Sequence, residues 1–213
     1  MPPPPISSLR RGGKLREHIL WTAKDVFLEV GFDRASMDEI AARAQTSKRT
    51  LYAHFGNKES LFVAVAELTR GLYLDRLGAP EDYAQDSEEA IVLFCGRFLE
   101  VLLWESASRT CRLGITEAER LPAAGASYYD TLFATTHDRL ADFLAARHRL
   151  EREQADRLAD ALIGRMLYPR VIRVLFGVDP ARPKLSDGPA MPDDLDLTTV
   201  RTTVSELLEL ARA

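Results

Sequence analysis

Lys48, Arg49, Thr50, Tyr52 and His54 bring hydrogen-bonding side chains together within one and a half turns of a predicted helix. Donors at that density suit phosphate oxygens and base edges. A helix that enters the major groove needs small or flat side chains near the bases and donors on its flanks. Leu51 and Phe55 stand at i and i+4 within the polar set and give the helix an inner side. Catalysis finds no comparable cluster. His18, His54, His137 and His148 stand in no recognised spacing with carboxylates, and neither HExxH nor a Gly-rich phosphate loop occurs. Glu117 and Glu119 read as surface charges on a helical piece. Cys95 and Cys111 form no CxxC or metal-like cluster, so the sequence asks for no metal, no cofactor and no disulfide.

The residues before this helix supply its frame. Met37, Ile40, Ala41 and Ala44 fall at i, i+3, i+4 and i+7, one apolar face of a short helix. Ser36 precedes that face and Glu39 follows three residues on, a capping-box pattern. The pattern breaks at Gln45-Thr46-Ser47 and a second helical phase begins. Two short helices joined by so tight a turn, the second with a basic first half, describe a helix-turn-helix. A surface helical hairpin with ordinary solvated charges is the alternative that the bare pattern leaves open.

A wider match surrounds the pair. It consists of Phe27, Gly31-Phe32, Ala35-Ser36-Met37, Ile40-Ala41, Ser47-Lys48, Thr50-Leu51-Tyr52, His54-Phe55, Lys58-Glu59 and Leu61-Phe62. In these residues the chain resembles the DNA-binding domain of the tetracycline-repressor (TetR-type) family of bacterial transcription regulators, over about residues 14 to 70. That family often places Gly-Val in the turn. Gln45-Thr46 stand there instead, so Gln45 must accept the turn geometry. The resemblance implies that Lys48, Arg49, Thr50 and Ala53 face bases, while Ser36, Ser47, Tyr52, His54 and Lys58 hold phosphates of a double-stranded operator. It also implies a homodimer with its recognition helices about 34–36 Å apart, matched to a palindrome. A small apolar or aromatic effector between the C-terminal helices would then favour another head spacing and release DNA, the behaviour of a repressor.

Composition sets the bounds. A chain of 213 residues with 46% hydrophobic content can bury a real core. No apolar run approaches a membrane span and the N-terminus has no signal-peptide core, so the sequence predicts a cytoplasmic protein without a membrane partner. The net charge of −4 is unevenly spread. The first 70 residues carry 11 Lys and Arg against 8 Asp and Glu, and the rest carry 17 against 24, a basic head on an acidic body.

Along the chain, no alternating strand pattern competes with the helical one, and the predicted class is all-α. Residues 1–13 read as a Pro-rich disordered arm. Residues 14–77 form the DNA-binding domain: a first helix from Lys14 to a stop at Gly31, the helix-turn-helix, and a fourth helix capped by Asn57. After Gly78-Ala79-Pro80, residues 86–213 form a helical regulatory and dimerisation domain. Its helix from Ala90 to Trp104 is apolar on nearly all sides and should be central. Further helices are expected over 124–147, 151–177 with a kink at Pro169, and 197–212. By the resemblance, an effector cavity would be lined from among Phe94, Phe98, Leu102, Trp104, Arg112, Tyr128, Phe133 and His137, although core packing explains most of them equally well. Leu158, Leu162, Leu175, Leu207, Leu208 and Leu210 leave late apolar faces that either a two-fold partner or the chain itself would cover. Two rival functions stand beside the regulator. An architectural DNA-binding protein would share the head and lack an effector. A helical small-molecule enzyme would need convergent acid and base groups, which the sequence does not show.

Overall fold

The computed structural model describes residues 12–186, 191–192 and 194–212. Every regular element among them is a helix, and the only extended pairing there is an isolated parallel bridge between Trp104 and Arg182. The all-α class is what forms. Of the arm expected over 1–13, Gly12 and Gly13 open the first helix and the rest lies outside the described residues.

Helix α1 (Gly12–Arg34) turns Ile19, Ala23, Val26 and Phe27 inward. Gly31 interrupts it at φ 78°, ψ 169°, a backbone that residues with a Cβ rarely hold. Helix α2 (Met37–Arg43) starts on Ser36, whose Oγ accepts the Glu39 N–H at 3.1 Å. The expected capping box is only half made. The Glu39 carboxylate pairs with Arg43 at 2.8 Å, and Arg43 also holds Glu29 at 2.5 Å. The helix ends in a Schellman turn, with Gln45 N–H on the Ala42 carbonyl at 3.1 Å and Thr46 N–H on that of Ala41 at 3.0 Å. Gln45 accepts the left-handed position at φ 50°. Helix α3 (Lys48–Phe55) follows, and Asn57 Oδ1, accepting Ser60 N–H at 2.7 Å, opens α4 (Lys58–Leu77).

The chain divides into two compact units, and one of them is not continuous in sequence. The first takes the described residues up to Gly71 together with Arg112–Tyr129. The second takes Leu72–Cys111 and the described residues from Asp130 onward. The division differs from the expected 14–77 against 86–213, chiefly because residues 112–129 pack with the head. Helices α6 (Glu105–Glu117) and α7 (Pro122–Tyr129) close tightly on small residues. A Cβ on Gly125 would stand 3.1 Å from the Ala118 Cα, and one on Gly114 would stand 3.0 Å from the Tyr128 Cβ. The hairpin so formed sets Leu113, Ala124 and Tyr128 in the head's core, where Tyr128 meets Phe62 edge-on at 5.7 Å.

In the second unit, α5 (Ser87–Leu103) is buried over most of its length, as its sequence predicts. A π-type turn over Asp130–Ala134 leads from α7 into α8 (Thr135–His148), so the helix expected over 124–147 is locally widened. The helix expected over 151–177 is divided more sharply. It becomes α9 (Arg152–Met166) and α10 (Ile172–Leu175) around a turn at Leu167–Val171, because Pro169 has no N–H and its ring crowds the preceding turn. Helix α11 (Thr198–Arg212) packs on α5 and α9. Four of the six late leucines find their cover inside the chain. Leu158, Leu162, Leu207 and Leu208 are buried, and the exposed apolar residues in this part are Tyr168 (73%), Ile172 (37%), Phe176 (81%), Val178 (60%) and Leu210 (69%).

Two charges lie in the interior of α5 where its pattern suggests none. Arg97 Nη1 donates to Glu100 Oε2 at 2.6 Å, and both side chains are almost fully buried. The pair reaches the loop before α11, through Ser186 N–H on Glu100 Oε1 at 2.8 Å and Arg97 Nη1 on the Ser186 carbonyl at 3.3 Å. Removing one partner leaves the other as an uncompensated buried charge, whereas removing both does not. Glu100→Ala is therefore expected to cost about 3–5 kcal/mol in chemical denaturation, and Arg97→Met/Glu100→Leu close to nothing.

Candidate nucleic-acid interface

Helix α3 has eight residues and points two of them, Leu51 and Phe55, into the core. Its first turn is held by Ser47, whose Oγ accepts the Thr50 N–H at 3.0 Å and lies 2.7 Å from Thr50 Oγ1. With the inner side and the N-terminus fixed, Lys48, Arg49, Tyr52, Ala53 and His54 are left on the surface and Thr50 is half-buried. Arg49, Tyr52 and Ala53 stand at i, i+3 and i+4 and share the outermost strip.

The cations on and around this helix differ in how far they are committed. Lys48 Nζ pairs with Asp38 Oδ1 at 2.7 Å. The hydrogen bond that the ammonium donates to the Asp38 carboxylate holds its pKa above its usual value. Arg43 is shared between Glu29 and Glu39. Among the described residues none pairs with the Arg49 guanidinium or hydrogen-bonds the Tyr52 hydroxyl. Ser36 and Ser47 each spend a lone pair on a helix cap; Ser36 keeps its hydroxyl proton, whereas Ser47 shares a hydroxyl–hydroxyl bond with Thr50 in which either can donate.

Lys58 is where the structure departs from the expectation. Its ammonium lies on the carbonyls of Phe32 at 2.8 Å, Asp33 at 3.3 Å and Ala35 at 3.0 Å, and 4.3 Å from the centre of the Phe32 ring. All three donors point back into the protein, so Lys58 ties the α1–α2 corner to the start of α4 and has none left for a phosphate.

The eight residues expected around an effector are divided between the two units. Arg112 and Tyr128 belong to the first unit, Tyr128 in the aromatic cluster on Phe62. In the second unit, Phe98 meets Phe133 edge-on at 6.2 Å. Phe94 turns to Tyr83 at 6.3 Å and Trp104 to Tyr73 at 6.2 Å. Leu102 is core. His137 bridges α8 and α9, with Nε2 3.3 Å from the Asp156 carbonyl and 3.3 Å from Asp160. Beside Phe98 lies a cavity of about 10 Å³, bounded by Tyr73, Leu74, Leu77, Val101, Leu132 and Thr136. The α4 residues of that set escaped the sequence reading, although Tyr73 and Leu77 continue the apolar stripe of their helix at i, i+4. Burial pushes the Tyr73 hydroxyl up to about 12, and it stays a donor, to Thr110 Oγ1 at 3.2 Å. Both cysteines are buried and neither is in a disulfide, and burial pushes the Cys95 thiol up to about 12.

Two family models match the chain. Bacterial regulatory proteins, tetR family, covers residues 19–65, and AefR-like transcriptional repressor, C-terminal domain, covers residues 89–187. The chain belongs to the TetR family. Among its relatives in that family is the transcriptional activator FasR of Mycolicibacterium smegmatis, 43% identical over 68 residues, which are 30% of this chain and 31% of FasR. The transcriptional repressor NicS of Pseudomonas putida is 34% identical over 58 residues, 27% of each protein. The chain thus spans about a third of the length of these curated relatives. Solved structures cover more. A protein from Mesorhizobium loti described as a TetR-family transcriptional regulator is 25% identical with a TM-score of 0.77, over 94% of this chain and 98% of that one. The flavonoid-responsive regulator FrrA shares the fold at 23% identity and a TM-score of 0.70, over 94% and 96%.

Within this TetR-type head, Lys58 has a structural duty that can be measured. Lys58→Met leaves three carbonyls without their donor and is expected to cost about 1–3 kcal/mol of stability. The salt dependence of duplex binding by the folded variant should match that of the wild type. A slope smaller by about one would return Lys58 to the phosphate contacts.

Proposed function

We propose that this TetR-family protein is a homodimeric, ligand-responsive repressor that reads a palindromic operator through α3. The observation that carries the reading is the outer strip of α3, where Arg49, Tyr52 and Ala53 stand free on a helix whose inner side and N-terminus are fully engaged. Arg49 and Ala53 face base edges, with Thr50 beside them and Lys48 once it leaves Asp38. Ser36, Ser47, Tyr52 and His54 supply phosphate donors at the margins. The same head matches a protein named an activator and one named a repressor, so repression rests on the competition scheme: the protein blocks its site, and an effector that binds the free conformer more tightly releases it.

The second unit is the place for that effector. FrrA is named for its response to flavonoids, and a regulator from Saccharomonospora viridis with this fold was solved in complex with choline. Here the space beside Phe98 is walled by Leu74, Leu77, Val101 and Leu132, with Tyr73 and Thr136 as its polar groups. An apolar or aromatic molecule with one hydrogen-bonding group fits that chemistry. At about 10 Å³ the cavity must open to admit it. The partner subunit belongs on the exposed apolar residues around α10, Tyr168, Ile172, Phe176 and Val178, since most of the leucines of α9 and α11 are already covered within the chain.

Selection of duplexes from a randomised pool tests the reading. A recovered palindrome supports it, and uniform affinity for all sequences would mark an architectural protein. On the recovered duplex, Arg49→Ala is expected to relax preference at one base pair per half-site, at a cost of about 1–3 kcal/mol if the contact is bidentate. Phe176→Asp removes little from the single chain, because its ring is 81% exposed. It should leave the melting temperature of the monomer nearly unchanged and shift sedimentation from dimer to monomer. An intact dimer would place the seam elsewhere.

A further inference from the structure

The corner from which α2 departs is held by a side chain far outside the helix-turn-helix. Arg120, in the turn between α6 and α7, pairs with Asp33 across 87 residues of sequence. Its guanidinium carbon lies 4.5 Å from the centre of the Phe32 ring, and its Nε is 3.5 Å from Glu117. Phe32 in turn is stacked on Phe27 at 5.8 Å and meets Phe62 edge-on at 5.1 Å. Lys58 collects the carbonyls of the same short stretch. Three residues after Asp33 the chain reaches Ser36, the cap of α2.

We propose that Arg120 is a positioning residue for DNA recognition, acting through Phe32 and Asp33 on the orientation of α2 and, through α2, of α3. The proposal rests on the DNA-binding reading above. Helices of seven and eight residues have little rigidity of their own. Their direction is set by the core beneath them and by the corner that feeds them. An exposed ion pair alone would fix that corner weakly. A guanidinium that lies on a ring and holds the neighbouring carboxylate constrains it in two directions at once, alongside the Lys58 ammonium that gathers the carbonyls. Base contacts need close distance and alignment, whereas phosphate attraction tolerates small shifts. Loss of Arg120 should therefore weaken specific binding and spare non-specific binding.

The test uses the full chain, the duplex that the wild type recovers from a randomised pool, and a scrambled duplex of equal composition. Arg120→Ala is expected to lower the ratio of specific to scrambled affinity about fivefold to tenfold. Affinity for the scrambled duplex should change less than about twofold, and the melting temperature by less than about 4 °C. Arg120→Lys keeps the charge and should fall between. In an Asp33→Asn background, Arg120→Ala should cost less than it does alone. Should Arg120→Ala not fold, Arg120→Gln gives the same comparison. Equal losses on both duplexes would overturn the proposal and make Arg120 one more charge in the head's field. An unchanged ratio would overturn it as well, as would a large fall in melting temperature with both affinities lost. Failure of the wild type to recover any preferred duplex would instead bring down the DNA-binding reading, and this proposal with it.

Discussion

An eight-residue helix does not persist by itself in water, since its nucleation cost exceeds what so few hydrogen bonds return. Helix α3 exists because Leu51 and Phe55 are buried, each contributing about 1.5–3 kcal/mol. The Ser47 cap adds about 1 kcal/mol at the other end. Everything that keeps the helix in place thus lies on its inner side and at its start. The outer strip has no structural duty, and side chains there can be chosen for what they touch. This separation lets one head carry different specificities without a new fold each time.

The same economy governs charge. Counted from sequence, the first 70 residues hold 11 Lys and Arg, which suggests a generous basic surface. In the structure Arg43 is shared by Glu29 and Glu39, Lys48 faces Asp38, and Lys58 is turned inward onto carbonyls. Among the described residues few cations near the recognition helix remain uncommitted, and the whole chain is net negative at −4. Such a protein has little undirected attraction for DNA. Its affinity must come from a small number of well-aligned contacts, which makes orientation of the short helices more important than total charge.

Helices α2, α3 and α4 of the head were legible because they are capped by Ser36, Ser47 and Asn57 and bounded by glycine or a tight polar turn. That Gln45 must accept the turn geometry could also be read, whereas the left-handed backbone it adopts, φ 50°, emerges only from the structure. What the sequence could not reveal is which core a given stripe enters. The stripe with Leu113, Ala124 and Tyr128 looks like any other regulatory helix, yet close approach at Gly114 and Gly125 brings it to Phe62, more than sixty residues away by sequence. The inward duty of Lys58 depends on the path of the α1–α2 corner and has no local signature. Arg97 and Glu100, i and i+3 on an apolar helix, invite reading as a snorkelling surface pair, and only their burial at 1% and 0% corrects it. The late leucines show the same limit, because periodicity says that a face is covered and not by what.

A packed interior also bears on how an effector could act. The helices around Phe98 leave about 10 Å³ between them, too little for anything beyond a single water. Admission of a small molecule must then be bought by repacking, and its apparent affinity falls by the fraction of chains already open. That repacking is cheapest where the helical ladder is already irregular. Two such places lie in the chain after α5: the widened turn at Asp130–Ala134, which holds Leu132 and Phe133, and the interruption around Pro169. Leu132 borders the cavity directly and Phe133 touches Phe98. A π-type turn has already given up regular hydrogen bonds, so shifting its register costs less than distorting α5. The residues best placed to yield are therefore on the α8 side of the cavity, and the buried, ion-paired α5 supplies the fixed wall against which they move.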